Sequence, residues 1–387
     1  MAAGVAVVGV GHAGFAPRLA GVSYKELMHE AARRAYADAG IDPRRDVDSF
    51  VCVSEDLEEG TSIFDEYVPD QLGAVRRPVH TLAADGLHAV ASAVMLIRSG
   101  LARVVVVEGH RKASDVATPG RIERFALDPI WTRPLEVPPV ALAALDMRRY
   151  LDRTGTGRER CGLVVSRHRR AALANPRAAY AADLAPEEVL DAAQLADPLT
   201  ALEVAEPADG AVVVVLAEAE RARELARPPV WVAGVGWCTG AGSLETRDWG
   251  GAFPVARAAA MAYGQAGVTE PAAEIDLAEV DDGLAHRALL HLEALGLVPE
   301  GEAGEHLAAG RLDREGVPRV NPSGGALGEG HLGEAAGLAR LSACVLQLRG
   351  EGGRMQVPRA RAAVAQSWRG MPSDSAAVAV LRAEGAS

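Results

Sequence analysis

The sequence has little lysine, few aromatic residues and no long apolar run, and each shortage excludes a class of protein. Only Lys25 and Lys112 are lysines, so a Schiff-base mechanism has two candidate amines, and Lys25 lies on an ordinary face of a predicted helix. Aromatic residues make up 4% of the 387, and 52 acidic against 40 basic residues give a formal charge of −12. This balance disfavours binding to nucleic acid or to an anionic membrane surface. No apolar run is long enough to span a bilayer.

Paired cysteines are also missing. The four cysteines stand far apart, so their spacing predicts neither a metal site nor a disulfide framework: Cys52, Cys161, Cys238 and Cys344. The apolar run at residues 5–9 is too short for a secretory signal and has no basic flank. We therefore expect a cytoplasmic protein with no bound metal and no covalently attached cofactor.

What the chain does contain is a repeat of its own first half. The valine-rich run at residues 5–11 returns at residues 230–236, and the helix end at residues 35–40 returns at residues 262–267. The offsets, 230 − 5 = 225 and 262 − 35 = 227, drift as small insertions would make them. A repeat of this length is a duplicated half rather than a solenoid. Since β-rich runs alternate with helical patterns in each half, the sequence predicts an α/β fold with mainly buried strands.

The repeat also predicts the domain boundaries. We expect an N-terminal half over residues 1–225 and a C-terminal half over residues 226–387, with a linker at residues 221–229. Residues from about 110 to 185 are rich in Arg, Pro and Ala and interrupt the first half. This segment is expected to form a helical loop region that caps the site.

Helix and strand signals place the candidate motifs. Ser23 and Glu26 have the spacing of a capping box and predict a helix over residues 23–39. A mostly apolar helix is expected over residues 87–100, followed by a buried strand. The remaining predicted elements are strands at 47–51, 208–216, 274–280 and 361–366 and a helix at 331–349.

Gly9, Gly11 and Gly14 match the G-x-G-x-x-G pattern that binds dinucleotides after a strand. The predicted helix, however, begins near residue 23, so no helix N-terminus would meet a pyrophosphate. We interpret these glycines as a tight turn.

The richest motif is the glycine-dense segment around His331. Glycines at 324, 325, 328, 330 and 333 permit close backbone approach and positive φ angles beyond the needs of a connecting loop. The pattern predicts that His331 is a proton-transfer group, and the alternative is a histidine in a structural turn. Gln366, at the end of the last predicted strand, or the backbone near Gly370, is a candidate oxyanion donor.

Three aspartates are further candidates. Asp281 and Asp282 follow a predicted strand, where paired carboxylates can serve as general base and orienting group, although Asp282 can equally cap a helix. Asp85 precedes the helix at 87–100 and is either an N-cap or a site carboxylate. No cysteine lies near this helix start, and Cys238, in a glycine-rich loop, has no cation or helix start beside it to activate a thiolate.

Together these motifs resemble the thiolase superfamily, most closely its sterol-carrier-protein-type and archaeal thiolases, over essentially the whole chain. The resemblance lies in the duplicated halves, in Asn321-Pro-Ser-Gly-Gly with Gly330-His331, and in Asp209-Gly210. Arg133-Pro-Leu and residues 346–351 are also similar. It implies a thiolase fold with duplicated halves in five αβαβα layers, usually a homodimer, acting on acyl-CoA thioesters.

The departures from the family bear on the chemistry. Such thiolases carry a Cys-Ala-Ser-Gly nucleophile turn, and this chain has Ala83-Ala-Asp-Gly86. The family's His-Asp-(Ala/Cys)-Phe turn reads Asp281-Asp-Gly-Leu284, and its His-Asn…Gly-Gly turn reads Gln366-Ser-Trp-Arg-Gly370. Of the usual catalytic side chains only His331 remains. Because covalent acyl transfer needs a nucleophile, an acyl-enzyme at position 83 is excluded.

The superfamily also contains aldolases of steroid side-chain degradation, which cleave a C–C bond beside a CoA thioester and act with a separate zinc-ribbon/OB-fold subunit. The resemblance therefore implies an enzyme that forms or cleaves a C–C bond next to an acyl-CoA or carrier-bound thioester, without a cysteine acyl-enzyme. His331 and Asp281 would share proton transfer, with backbone N–H groups near Gly370 and Gly86 stabilising an enolate.

Coenzyme A contacts are expected from Gly325, Gly370 and the arginines of a predicted helix, Arg167, Arg169 and Arg170, although a solvated basic face would look the same in sequence. Two other functions stay open. One is a non-catalytic subunit of an acyltransferase or biosynthetic complex, and the other is acyl transfer directly between two bound substrates.

Overall fold

The computed structural model describes residues 4–55, 64–116, 123–225, 227–312, 319–371 and 373–385. The strands are β1 Val5–Ala16, β2 Ser49–Val53, β3 Val79–Leu82, β4 Val104–Arg111, β5 Gln194–Ala196, β6 Leu199–Thr200, β7 Asp209–Glu218, β8 Val230–Thr239, β9 Leu277–Glu279, β10 Arg319–Val320, β11 Ala362–Arg369 and β12 Ser375–Arg382. The helices are α1 Tyr24–Ala39, α2 Pro43–Asp46, α3 Pro69–Leu72, α4 Gly86–Arg98, α5 Pro139–Thr154, α6 Glu159–Ala172, α7 Pro186–Leu190, α8 Ala219–Glu224, α9 Phe253–Ala266, α10 Pro271–Glu274, α11 Ala285–Ala294, α12 Ala303–Ala308, α13 Gly325–Glu329 and α14 Ala336–Leu348.

Ten strands form one sheet made of two equivalent halves. Its order is β10-β9-β11-β12-β8-β1-β7-β4-β2-β3, so the N-terminal half contributes β3-β2-β4-β7-β1 and the C-terminal half contributes β10-β9-β11-β12-β8. When the five strands of each half are numbered in chain order, both halves have the same order across the sheet, 3-2-4-5-1. The halves meet at β1 and β8, which pair only at Ala6 with Trp231 and Val7 with Val230. The duplication read from the sequence is confirmed in the topology.

Glycines in the first strand of each half let a helix lie directly on the sheet. A Cβ on Gly9 would stand 2.5 Å from the carbonyl oxygen of Ala35 in α1. A Cβ on Gly11 would stand 2.1 Å from that of Ala31, in the same helix. In the second half, a Cβ on Gly234 or Gly236 would come within 2.0 or 2.1 Å of the carbonyl oxygens of α9 residues 262 and 258. The tight-turn interpretation of Gly9 and Gly11 was wrong, because β1 continues through them to Ala16.

Three apolar cores separate five layers. The central core surrounds α4 and α14 and takes side chains from both half-sheets, including Val107 and Ala365. A second core lies between the N-terminal half-sheet and α1, and a third lies between the C-terminal half-sheet and helices that include α9 and α11. The predicted α/β thiolase-type fold with five αβαβα layers is thereby confirmed.

Most of the predicted elements are present, with shifted ends. The capping box of Ser23 and Glu26 begins α1, and α1 ends at Gly40, which has a φ of 69°. The helix predicted from residue 331 begins only at Ala336, because Gly330 and Gly333 have φ angles of 104° and 51° that interrupt a right-handed helix. The predicted linker at 221–229 begins inside α8.

The segment that interrupts the first half packs on the second half. Its helices α5 and α6 bury Met147, Tyr150 and Val164 in the core of the C-terminal half. At its start, the Lys112 ammonium lies 2.8 Å from the Asp209 carboxylate, and both side chains are buried. Lys112 is therefore held in a structural ion pair. None of the described helices is both long and apolar enough to cross a membrane.

Candidate functional site

The candidate site lies where β9 ends and the glycine-rich loop carries His331 back towards the sheet. The point at which a Gly283 Cβ would stand is 3.3 Å from Asp281 Oδ1, 3.4 Å from His331 Cδ2 and 3.6 Å from His331 Nε2. The structure thus brings Asp281 and His331 to the two sides of one small space. Residue 283 has no side chain of its own to fill that point.

His331 is fixed by its backbone and by one ring nitrogen. Its N–H donates to the Glu206 carbonyl at 2.7 Å, and its carbonyl accepts from the Ala208 N–H at 3.1 Å. The Gly333 N–H donates to His331 Nδ1 at 3.1 Å, so in the neutral ring the proton lies on Nε2, towards Gly283. Burial lowers the pKa of His331, and the carboxylate of Asp281 opposes that effect. His331 is therefore a neutral hydrogen-bond donor to the site.

Asp282 holds the loop that carries His331. Its carboxylate accepts the backbone N–H of Ala326 at 2.7 Å and that of Leu327 at 3.3 Å, at the start of α13, and lies 2.8 Å from His168 Nδ1. The side chain is fully buried. The Asp282 carboxylate thus has three partners and contacts no solvent, and its assignment to the chemistry stays a prediction.

Asp281 has a partner that the sequence motifs did not reveal. Arg340 Nη2, from α14, lies 2.7 Å from Asp281 Oδ2, and both side chains are at most 4% exposed. Burial tends to raise the pKa of Asp281, but Arg340 and the nearby histidines lower it below its ordinary value. A lone charged residue inside the otherwise apolar helix Ala336–Leu348 is the signal that would have found Arg340.

Two more side chains fix the Asp281 backbone. The Asp281 N–H donates to Gln366 Oε1 at 2.7 Å, and His291 Nδ1 donates to the Asp281 carbonyl at 2.8 Å. Burial lowers the pKa of His291 to about 4. Gln366 is fully buried, and its Nε2 has no hydrogen-bond partner within the described ranges. Gln366 thus contacts Asp281 rather than standing apart from the site.

Asp85 joins the starts of the two central helices. One oxygen accepts the Leu87 N–H of α4 at 2.9 Å, and the other accepts the Gly337 N–H of α14 at 3.0 Å. The side chain is 5% exposed, whereas Ala83, at the apex of the turn, is exposed. Asp85 is therefore an N-cap shared by two helices, as one of the two sequence-based alternatives has it, and a role as a site carboxylate stays a prediction.

The predicted coenzyme A contacts are not brought together. Arg169 lies 3.3 Å from Glu206, Arg170 lies 2.7 Å from Asp183 on the surface, and Arg167 is on the same helix α6. Gly325 is buried, with its Cβ position 2.1 Å from Asp282 Oδ2, whereas Gly370 is exposed at the end of β11. The residue of α6 that reaches the site is His168.

The described cysteines do not replace the absent nucleophile. Cys52, Cys161 and Cys344 are buried, and all four cysteines are free thiols. Burial raises the pKa of the partly exposed Cys238, with Arg257 acting in the opposite direction. An activated cysteine has a lowered pKa. No group of three or more metal-ligating side chains occurs in the described part of the chain.

Comparison with known proteins supports the same fold. The family described as Thiolase C-terminal domain-like matches residues 238–383. An acetyl-CoA acetyltransferase of Methanothermobacter thermautotrophicus is 33% identical over 361 residues, covering 91% of this chain and 93% of the relative. The 17-hydroxy-3-oxo-4-pregnene-20-carboxyl-CoA lyase of Mycobacterium tuberculosis is 28% identical, covering 89% of this chain and 91% of the relative.

Among solved structures, the Ltp2-ChsH2(DUF35) aldolase superposes with a TM-score of 0.85 at 25% identity, covering 99% of this chain and 98% of that chain. The similar proteins thus include both an acetyltransferase and a lyase that are named for CoA compounds. With the duplicated five-layered fold and a relative of 33% identity over nearly its whole length, the chain belongs to the thiolase superfamily.

Proposed function

We propose that this protein forms or cleaves a C–C bond next to an acyl-CoA, or carrier-bound, thioester without a cysteine acyl-enzyme. The observation that carries the proposal is the pairing of Asp281 and His331 across the Gly283 space, in a thiolase fold whose nucleophile turn has Ala83. The similarity to proteins named as a CoA lyase and as an aldolase supports this reaction over thiolysis.

The geometry suggests how the two side chains divide the work in the cleavage direction. Asp281, an ionised carboxylate, accepts the proton of a β-hydroxyl group as the bond between the α- and β-carbons breaks. The β-carbon leaves as a carbonyl compound, and the bonding electrons form a thioester enolate. Asp281 then returns the same proton to the α-carbon, so the reaction is balanced without an added proton.

His331 acts in this scheme as a hydrogen-bond donor. A neutral imidazole that already accepts the Gly333 N–H at Nδ1 presents Nε2–H to the substrate, where it stabilises the enolate oxygen. Backbone N–H groups near Gly370 and at the start of α4 are proposed as further donors. Proton transfer, which the sequence motifs assigned to both residues, is thus assigned to Asp281.

We also propose that the working protein has partners. A homodimer is proposed because β3, at the end of the sheet, has four partly exposed residues. A separate partner subunit is proposed because the name of the similar Ltp2-ChsH2(DUF35) aldolase joins two proteins. Co-expression with a zinc-ribbon/OB-fold subunit followed by affinity purification tests this, and a chain that purifies alone would contradict it.

The function is tested by cleavage of a panel of β-hydroxyacyl-CoA thioesters, followed by release of the carbonyl product. We expect His331→Ala and Asp281→Asn each to lower kcat by about 100-fold or more, because each removes a group that acts on the reacting atoms. Cys238→Ser serves as the control and should retain full activity.

Two results would contradict the proposal. One is unchanged turnover in the His331→Ala protein. The other is a persistent acyl adduct in intact-protein mass spectrometry after incubation with an acyl-CoA, because that would show a covalent route.

A further inference from the structure

Arg340 is a buried cation on a helix that is otherwise almost wholly apolar. Its side chain is 3% exposed, and its contact with an anion is the ion pair with Asp281 at 2.7 Å. Nε and Nη1 contact no solvent and have no hydrogen-bond partner among the residues that the structure describes. Removing a guanidinium from water costs several kcal/mol unless a partner compensates for it, on the order-of-magnitude scale of buried ions. A cation in this position therefore calls for a role beyond packing.

The charged and titratable groups around Asp281 come from every element packed against it. Arg340 approaches from α14, His291 from α11, and His331 from the glycine-rich loop, and Arg340 contributes most to favouring the ionised form of Asp281. Glu279 is the last residue of β9, two residues before Asp281, while Asp282 is adjacent to Asp281 and Asp85 lies at the start of α4. Among these groups Arg340 alone is a permanent cation, since both histidines are neutral when buried.

Asp281 Oδ1 is oriented differently from Oδ2. Oδ2 faces Arg340, while Oδ1 accepts the Gly283 N–H at 3.1 Å and borders the space shared with His331. The guanidinium thus occupies one side of the carboxylate, and Oδ1, on the other side, faces His331 across the Gly283 position. The guanidinium nitrogens that lack a hydrogen-bond partner are buried and contact no solvent. Arg340 therefore acts through Asp281 rather than on the substrate.

We propose that Arg340 is a positioning residue that keeps the Asp281 carboxylate ionised and turned towards the Gly283 space, ready to accept a substrate proton. The inference rests on the proposed function. It adds that the proton Asp281 accepts is returned readily, because the adjacent guanidinium disfavours the neutral carboxyl group. A buried carboxylate without this cation would hold its proton and stop accepting one.

The test follows the Asp281 carboxyl carbon by NMR in protein labelled at the aspartate carboxyl position, with Asp281→Asn identifying the resonance. In the unchanged protein we expect no titration of Asp281 from about pH 4, near the ordinary pKa of Asp, to about pH 8, above the ordinary pKa of His. Arg340→Gln should bring the titration of Asp281 into this span, and Arg340→Lys should largely prevent it. The matched control is Arg349→Gln, which removes another buried arginine of the same helix segment, paired with Asp38 at 2.8 Å.

Folding supplies the second measurement. If Arg340→Gln does not fold, the double variant Arg340→Gln/Asp281→Asn, which removes both charges, should fold, and that rescue supports the proposal. Two results overturn it: an Asp281 resonance that does not titrate in a folded Arg340→Gln protein, or a double variant that is as unfolded as the single one.

The NMR experiment needs no substrate, so it separates this inference from the proposed function. If Arg340→Gln shifts the titration of Asp281 but the unchanged protein cleaves no β-hydroxyacyl thioester, the inference stands and the proposed function is refuted. With activity present, Arg340→Gln should lose kcat in the acidic part of the pH profile, where Asp281 becomes protonated, and Arg340→Lys should restore part of it.

Discussion

Glu279 is a fully buried acid of β9 that anchors the loop leading to His331. It accepts the Ser323 N–H at 3.0 Å and the Ser323 hydroxyl at 2.7 Å. Burial, together with the nearby Glu329, raises the pKa of Glu279 to about 8 against the weaker opposing effect of the Ser323 hydrogen bonds. Glu279 is therefore protonated at neutral pH in the folded protein.

This raised pKa gives a pH dependence of stability with a definite sign. The folded protein keeps the Glu279 proton up to about pH 8, whereas the unfolded chain releases it near its ordinary value. The stabilisation of the folded protein by this bound proton is complete below the ordinary pKa of Glu. It is lost as the pH rises through about 8. We expect Glu279→Gln, a neutral side chain of the same shape, to remove this loss.

The measurement is the melting temperature of both proteins from about pH 5 to about pH 8, where one proton changes the free energy of unfolding by at most about 1.4 kcal/mol per pH unit. The unchanged protein should lose stability relative to Glu279→Gln as the pH rises. Glu329 is present in both proteins, so the difference reports Glu279. If the melting temperatures of the two proteins change with pH in parallel, Glu279 is ionised in the folded protein.

Neighbouring residues of one type have different roles at this site. Asp281 and Asp282 are adjacent and chemically identical, yet Asp281 pairs with Arg340 while Asp282 caps α13 and contacts His168. Their sequence separation from these partners is large, so local spacing does not distinguish the two carboxylates. The histidine, in contrast, was located from local spacing, since its glycines determine the turn around it.

At the scale of secondary-structure elements, the starts of α4 and α14 are held together by Asp85. The carboxylate accepts one N–H from each helix, at Leu87 and at Gly337. A Cβ on Gly337 would stand 2.0 Å from Asp85 Oδ1, so the glycine is needed for this approach. The two central helices come from opposite halves, and this contact sets their relative position beside Ala83.

We expect Asp85→Ala to lower the free energy of unfolding by about 2 kcal/mol or more, because it removes an N-cap and leaves the buried Gly337 N–H without a partner. Chemical denaturation measures the effect. The matched control is Asp42→Ala, which removes the exposed N-cap of α2, where Asp42 accepts the Arg44 N–H at 3.0 Å. If the two substitutions cost the same, the bridge to α14 contributes nothing.

For the whole molecule, the two ends of the ten-stranded sheet differ. At one end β10 has only two residues, Arg319–Val320. At the other end β3 has four partly exposed residues, and no strand of the described residues pairs with its outer edge. Three large side chains near this end are about half exposed: Tyr67, Val75 and Met95. An open edge beside apolar side chains is a surface that a second copy can cover.

We therefore expect a homodimer that pairs through the β3 end of the sheet. Light scattering after size-exclusion chromatography should give twice the 40.3 kDa mass of one chain. Met95→Glu should shift the protein towards the monomer, because it would bury a charge in the interface. Phe253→Glu, at a still more exposed apolar position of α9 in the other half, should leave the mass unchanged. A monomeric unchanged protein would refute the interface.

The layered fold was accessible from sequence because its signals are local and repeated. Alternating buried strands and amphipathic helices, together with an offset of about 225 residues between equivalent motifs, specify the two halves. The ends of elements were less accessible. The start of α14 and the course of β1 through Gly11 depend on φ angles and on the helix packed above the strand.

By itself, the sequence determined the α/β fold, the duplication, the histidine loop and the absence of a cysteine at position 83, because each is written in neighbouring residues or in a periodic pattern. Only the tertiary structure decided which carboxylate faces the histidine and which cation accompanies it. Asp281 and Arg340 lie 59 residues apart (340 − 281) and meet only because α14 packs against β9. In a buried site, the charge of a group is set by such contacts, since burial alone disfavours every ion.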